Sequence, residues 1–125
     1  SAVAVIFCKN KVIKYLLLHY ESGHWDFVKG HIEKREKVYG TVKREAKEEC
    51  GLDVEALRYL DNVVYLRPDN VPSVAIKFAV KYKKGKVKLA PEFDEYAWVN
   101  AEEVKQFQCI QVNPKEVAKA IELYS

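Results

Sequence analysis

Residues 30–52, GHIEKREKVYGTVKREAKEECGL, restrict this chain more than any other stretch. Read as a helix over residues 38–50, at 100° per residue, they divide into three sectors. Tyr39, Val42, Ala46 and Cys50 form an apolar stripe. Lys37, Lys43, Arg44 and Lys47 lie roughly opposite it. Glu45, Glu48 and Glu49 fall within about one-third of the circumference and border the stripe, so three carboxylates stand at the edge of the face to be buried. A merely solvated, charged face would place opposite charges four residues apart. Arg44 and Glu48 do so, but Glu45/Glu49 and Lys43/Lys47 are like pairs, each costing about 0.2–0.5 kcal/mol where an opposite pair would help. Carboxylates crowded beside a buried edge call for a cation, and hard divalent ions such as magnesium take oxygen ligands of this kind.

The flanking residues make the pattern specific. Gly30, Glu36, Arg44, Glu45, Ala46, Glu48, Glu49, Gly51 and Leu52 read G-x5-E-x7-R-E-U-x-E-E-x-G-U, where U is a bulky aliphatic residue. This resembles the signature of the Nudix hydrolases, with Ala46 smaller than the usual residue at its position. The resemblance implies cleavage of a nucleoside diphosphate linked to another moiety, with magnesium or manganese and an activated water. It also implies an α/β/α sandwich with a mixed, curved sheet.

One hundred and twenty-five residues, 49% of them hydrophobic, are expected to form a single domain, 1–125, with one layered core. A formal net charge of +3 suits an anionic small ligand and makes nucleic acid an unlikely partner. There is neither a membrane-length apolar run nor a leader-like segment, so a soluble, cytoplasmic protein is expected, without a membrane partner. Cys8, Cys50 and Cys109 lack metal-ligand spacing and are expected reduced, with Cys8 and Cys50 buried.

Along the chain, residues 2–8 and 12–19 read as strands flanking a turn at Asn10-Lys11, and residues 24–28 as a short strand. Lys29-Gly30-His31 reads as a tight turn, with Gly30 letting the backbone approach a metal or phosphate. After the helix and its Gly51 cap, residues 54–66 read as one or two strands, 67–70 as a turn, 74–82 as a strand and 87–89 as an extended segment. Residues 91–94 read as a loop and 96–99 as a last strand. Asn100 with Glu103 forms a capping box for a short helix, and Asn113 caps another that carries Val117, Ala120, Ile121 and Tyr124 on one face. Strands, a helix, more strands and terminal helices predict an α+β or α/β layered domain, and the Nudix resemblance supplies the topology.

By the same resemblance Glu45, Glu48 and Glu49 hold metal, joined by the Gly30 carbonyl, while Glu45 or Glu48 takes the water's proton. Arg44 pairs with Glu36 and orients the motif. Glu92, in the loop before the last strand, is the candidate for a distal ligand, with Glu95 as the fallback. The segments His24-Trp25, Lys29-Gly30-His31 and Glu92-x3-Tyr96-x-Trp98 are similar to the asymmetric diadenosine tetraphosphate hydrolases of the animal and archaeal type. That likeness implies phosphate contacts from Lys29 and His24, loop support from His31, adenine stacking on Tyr65, and Lys77 standing in for a basic residue that would fall at Ser73. The chain departs from that branch at Val28 and at Lys34-Arg35, where Pro and Pro-Gly are usual. A dinucleoside polyphosphate hydrolase is thus expected. ADP-ribose, nucleoside triphosphates and RNA 5′ ends are the alternatives, and a non-catalytic nucleotide-binding module is disfavoured by the intact motif. The RNA option draws on the lysines at 81, 83, 84, 86 and 88, which equally suit a solvated sheet edge.

Overall fold

An apolar run with no polar alternation can be buried on both faces only inside a sheet, and residues 2–7 take that place. The computed structural model describes residues 1–67, 69–107, 117–119 and 121–122. Strand β1 (Ala2–Asn10) is the spine of a seven-stranded sheet of order β3-β2-β1-β6-β5. Here β2 is Val12–Tyr20, β3 Trp25–Asp26, β5 Asp53–Leu66 and β6 Pro72–Lys84. β4 (Val28–Gly30) pairs with the first residues of β1, and β7 (Phe93–Val99) with β2. β1 and β6 run parallel and the other pairs antiparallel, so the sheet is mixed.

The two-residue period of β1 builds two cores. Ala2, Ala4 and Ile6 face helix α1 (Val38–Cys50), meeting Val42, Ala46 and Cys50. Val3, Val5 and Phe7 face the other way and join Val104, Val117 and Ile121. Helix α2 (Ala101–Val104) begins at Asn100, where the Asn100 side chain accepts from the Glu103 amide and the Glu103 carboxylate accepts from the Asn100 amide. The layers are therefore helix, mixed sheet, helix, and α1 has the bounds its periodicity predicts.

Several local expectations change. Lys29 and Gly30 belong to β4 instead of a turn, because Val3 and Ala2 of β1 offer them an open ladder. Residues 53–66 form one strand, whose register shifts absorb its twist against β6. Residues 87–89 form no strand: the Lys88 amide donates to the Cys50 carbonyl and the Ala90 amide to that of Glu49, so this segment ties down the end of α1. Strand β7 begins at Phe93, three residues earlier than expected. Tyr39 is exposed at the start of α1, its ring meeting that of Phe78 edge to face. Cys50 is buried but Cys8 is half-buried. Val117 and Ile121 are buried as expected, whereas Cys109, Asn113, Ala120 and Tyr124 lie outside the described residues. No helix among the described residues is long and apolar enough to cross a membrane.

Candidate active site

α1 is fixed at its C-terminal end by Gly51. Its φ of +73° lets the Gly51 amide reach the Ala46 and Lys47 carbonyls. The buried stripe then sets the rotation of the helix, and its acidic edge turns to the start of the sheet beside β4. There the side chains of Glu45, Glu48 and Glu49, with Gly30, His31, Lys29, Arg44 and Glu92, border a cleft of about 460 Å³. Residues far apart in the chain thus meet as the motif demands, and Glu92 joins them from the segment before β7.

Arg44 is the hub. Its Nε donates to Glu36 Oε2 at 2.7 Å and its Nη2 to Glu36 Oε1 at 3.0 Å, a two-pronged pair. Nη1 reaches Glu45 Oε1 at 2.7 Å and Glu48 Oε2 at 3.1 Å, and Nη2 also holds the His31 carbonyl at 3.0 Å. Thr41 Oγ1 adds a 2.7 Å donor to Glu36. The Arg44 hydrogen bond first, and Thr41 next, hold the Glu36 carboxyl at about 2. In turn the hydrogen bond to Glu36 first, and that to Glu45 next, raise the Arg44 guanidinium above its already high value. A group so depressed stabilises the fold above its ordinary titration range and loses that contribution as pH falls through about 2. The Glu36 side-chain carboxyl, followed by ¹³C NMR, is therefore expected to titrate near 2, and a midpoint near 4.5 would show the pair to be weak in solution.

Glu49 is the opposite case. It is 6% exposed, and its Oε2 is buried without a hydrogen-bond partner. Burial first, then the charge of Glu45 and a hydrogen bond with it, push the Glu49 carboxyl up to about 9, against the pull of the Lys29 amide. Burial and the surrounding carboxylates, Glu49 foremost, also raise the phenol of Tyr20, which lines the same cleft. An orphaned carboxylate oxygen costs about 1–3 kcal/mol, which a bound cation would relieve. Gly30 provides the space: a Cβ there would overlap the Glu45 carboxylate. Carboxylate and carbonyl oxygens are the donor type that a hard divalent cation takes. Among the described residues, no three acidic groups stand close enough to share one ion, and Arg44 Nη1 lies between Glu45 and Glu48 instead.

The remaining predicted residues divide. Lys29 lines the cleft, with Nζ 2.9 Å from Asp26 Oδ2. His24 does not line the cleft; its ring stacks at 4.4 Å on Tyr20, which does. His31 lines the cleft and contributes its main-chain carbonyl to Arg44, a contact that does not involve its imidazole. Lys77 and Tyr65 do not border the cleft. Lys77 is 3% exposed, between Ala75 and Ala79-side neighbours on the sheet face away from α1, with Nζ 3.3 Å from Asp61. The Tyr65 hydroxyl lies 3.4 Å from Ser1 Oγ. Glu95, on β7, pairs in register with His19 of β2 and does not line the cleft. Sequence reading missed Asp26, Tyr20 and Thr41. Asp26 is 4% exposed, and its placement three residues before Lys29 was the available sign of a buried pair. Arg35 has a φ of +68°, the left-handed conformation that the glycine of the usual Pro-Gly adopts freely.

The NUDIX domain family model matches residues 1–121. The mouse bis(5′-nucleosyl)-tetraphosphatase (asymmetrical) is 31% identical over 106 residues, covering 78% of this chain and 71% of that protein. A Caenorhabditis elegans Ap4A hydrolase in a binary complex superposes with a TM-score of 0.73 at 25% identity, over 85% of this chain and 82% of that one. A NUDIX hydrolase from Listeria monocytogenes superposes with a TM-score of 0.78 at 23% identity, over 97% and 92%, a likeness of fold. The family match runs through the whole loop–helix–loop whose acidic edge forms the cleft, and the chain belongs to the Nudix hydrolase family.

Proposed function

We propose that the protein is a divalent-cation-dependent pyrophosphohydrolase for dinucleoside polyphosphates, cleaving diadenosine tetraphosphate to ATP and AMP. The supporting observation is the cleft that gathers Glu45, Glu48, Glu49 and Glu92 around a buried, unpartnered carboxylate oxygen. The mouse relative, named as an asymmetrical tetraphosphatase, directs the choice of substrate.

Magnesium or manganese would be held by Glu45, Glu48, Glu49, Glu92 and the Gly30 carbonyl, and would neutralise phosphate oxygens and make a bound water more acidic. The protein's own part is positioning and proton transfer. Water adds to one phosphorus, the bridging P–O bond breaks, and the water's proton passes to Glu45 or Glu48, the two carboxylates that Arg44 Nη1 holds side by side. Arg44, anchored on Glu36, positions both and acts through them. Lys29, at the cleft wall, supplies positive charge to the polyphosphate, and His24, stacked on the cleft residue Tyr20, is the second candidate contact to the phosphates.

A panel with magnesium tests this: diadenosine tetraphosphate, ADP-ribose, ATP, 8-oxo-dGTP and a 5′-triphosphate RNA, with products separated by chromatography. The expected result is fastest turnover of the diadenosine compound, with equal ATP and AMP. Faster turnover of ADP-ribose or RNA would overturn the substrate choice and leave the carboxylate chemistry. Magnesium binding without cleavage of any of them would return the protein to a binding role.

A further inference from the structure

A second cavity, of about 670 Å³, shares no lining residue with the carboxylate cleft. Its floor is a row on the α1 face of the sheet. Cys8 stands opposite Lys14 on the β1–β2 ladder, and Trp98 stands beside them opposite Leu16. Tyr82 meets Trp98 edge to face, with ring centroids 5.9 Å apart. One wall is the turn after β6, where Gly85 holds a φ of +114° and its carbonyl accepts the Tyr82 hydroxyl at 2.7 Å. That turn brings Lys86 into the lining, where β2 contributes Lys14.

The lining chemistry is selective. The volume lies in the range of small-molecule sites, about 300–1,000 Å³. An indole and the phenols of Tyr82 and Tyr96 offer aromatic surface to a flat ring. Both charged residues of the lining, Lys14 and Lys86, are cationic and exposed, and neither has an acidic partner among the described residues. The lysine run that the sequence displays at 81–88 is thereby divided: Lys83 is paired with Glu55 at 3.2 Å, whereas Lys86 is turned to this cavity. A solvated edge alone would not place lysines around an aromatic floor.

We propose that this cavity is a second, non-catalytic site for a mononucleotide, its base lying against Trp98 and Tyr82 and its phosphate between Lys14 and Lys86. The site stands apart from the hydrolytic reading. The segment that walls it continues through Ala90 to Glu92 at the cleft, so an occupant would rest against the same stretch that ties down the end of α1.

The test is a titration of the ¹⁵N-labelled protein with AMP in EDTA, without divalent metal, following amides and the two tryptophan indoles by NMR. The expected shifts fall on the Trp98 indole and on the amides of Cys8, Lys14 and residues 85–87. Adenosine and inorganic phosphate, each alone, are expected to bind more weakly than AMP. The exposed double variant Lys14→Glu/Lys86→Glu is expected to weaken binding about tenfold while the spectrum otherwise stays that of the folded wild type. Shifts confined to Lys29, His31 and Glu45, equal binding of adenosine and AMP, or unchanged binding by the double variant would each overturn the proposal. So would the absence of any shift at millimolar AMP. Hydrolysis by the double variant, measured separately, reports on the cleft, so the two readings fail independently.

Discussion

Replacing Glu49 with Gln is expected to lower magnesium-supported turnover by about 10²-fold or more, and at the same time to stabilise the metal-free protein above neutral pH. Both effects come from one buried carboxylate. In the fold its carboxyl is raised to about 9 from an ordinary 4.5, by burial and by Glu45. Between those values the folded chain binds the proton that the unfolded chain has released. The stabilisation that a protonated Glu49 brings is therefore complete below about 4.5 and is lost as pH rises through about 9. Glutamine fills the same space and cannot ionise. Thermal melts in EDTA at about pH 5 and pH 8 should show wild-type stability falling with pH and the Glu49→Gln fall much reduced; each ~1 kcal/mol regained would raise Tm by about 4 °C. Magnesium should raise the wild-type Tm at the higher pH and leave that of the variant nearly unmoved. Parallel pH profiles for the two proteins would contradict the burial of Glu49.

The second large effect is expected from Gly30→Ala. Gly30 does not need a left-handed backbone: it lies in β4, paired with Ala2. What it supplies is room, since the added methyl would occupy the place of the Glu45 carboxylate. That carboxylate is the end of a flexible side chain, so the fold can yield by moving it. The displacement acts on a group proposed to hold the cation or take the proton, and misplacement on the ångström scale costs about 10²-fold in rate. The expected variant is folded, with circular dichroism and Tm close to wild type, and about 10²-fold slower in kcat. Unimpaired turnover would remove Glu45 from the chemistry. Unfolding would show that Arg44 and Glu36 hold Glu45 too rigidly to yield.

These predictions rest on features with different origins. The helix Val38–Cys50, its cap at Gly51 and its three acidic positions follow from local periodicity and backbone freedom, which are properties of the stretch itself. The pairing of Arg44 with Glu36 was legible through the resemblance to the Nudix signature, and the structure forms it. Asp26 was not. A carboxylate in an apolar alternation reads as an exposed position until Lys29 is seen reaching back to it. Lys77 was misread too: the likeness to the tetraphosphate hydrolases made it a substrate contact, but its strand lies inside the sheet and the side chain is buried on the face away from α1. Tyr39, by contrast, continues an apolar stripe and is still exposed, its ring meeting that of Phe78 edge to face.

By itself the sequence determined the helix, its acidic edge and the composition of the two sheet faces, because each depends on residues a few positions apart. Only the tertiary structure decided that Glu92 joins the three glutamates, that Glu49 is buried deeply enough to keep its proton, and that Trp98, Tyr82 and Lys86 surround a separate cavity. Those outcomes depend on which strands pair and on how far a side chain is withdrawn from water, and both are set by contacts between segments distant in the chain.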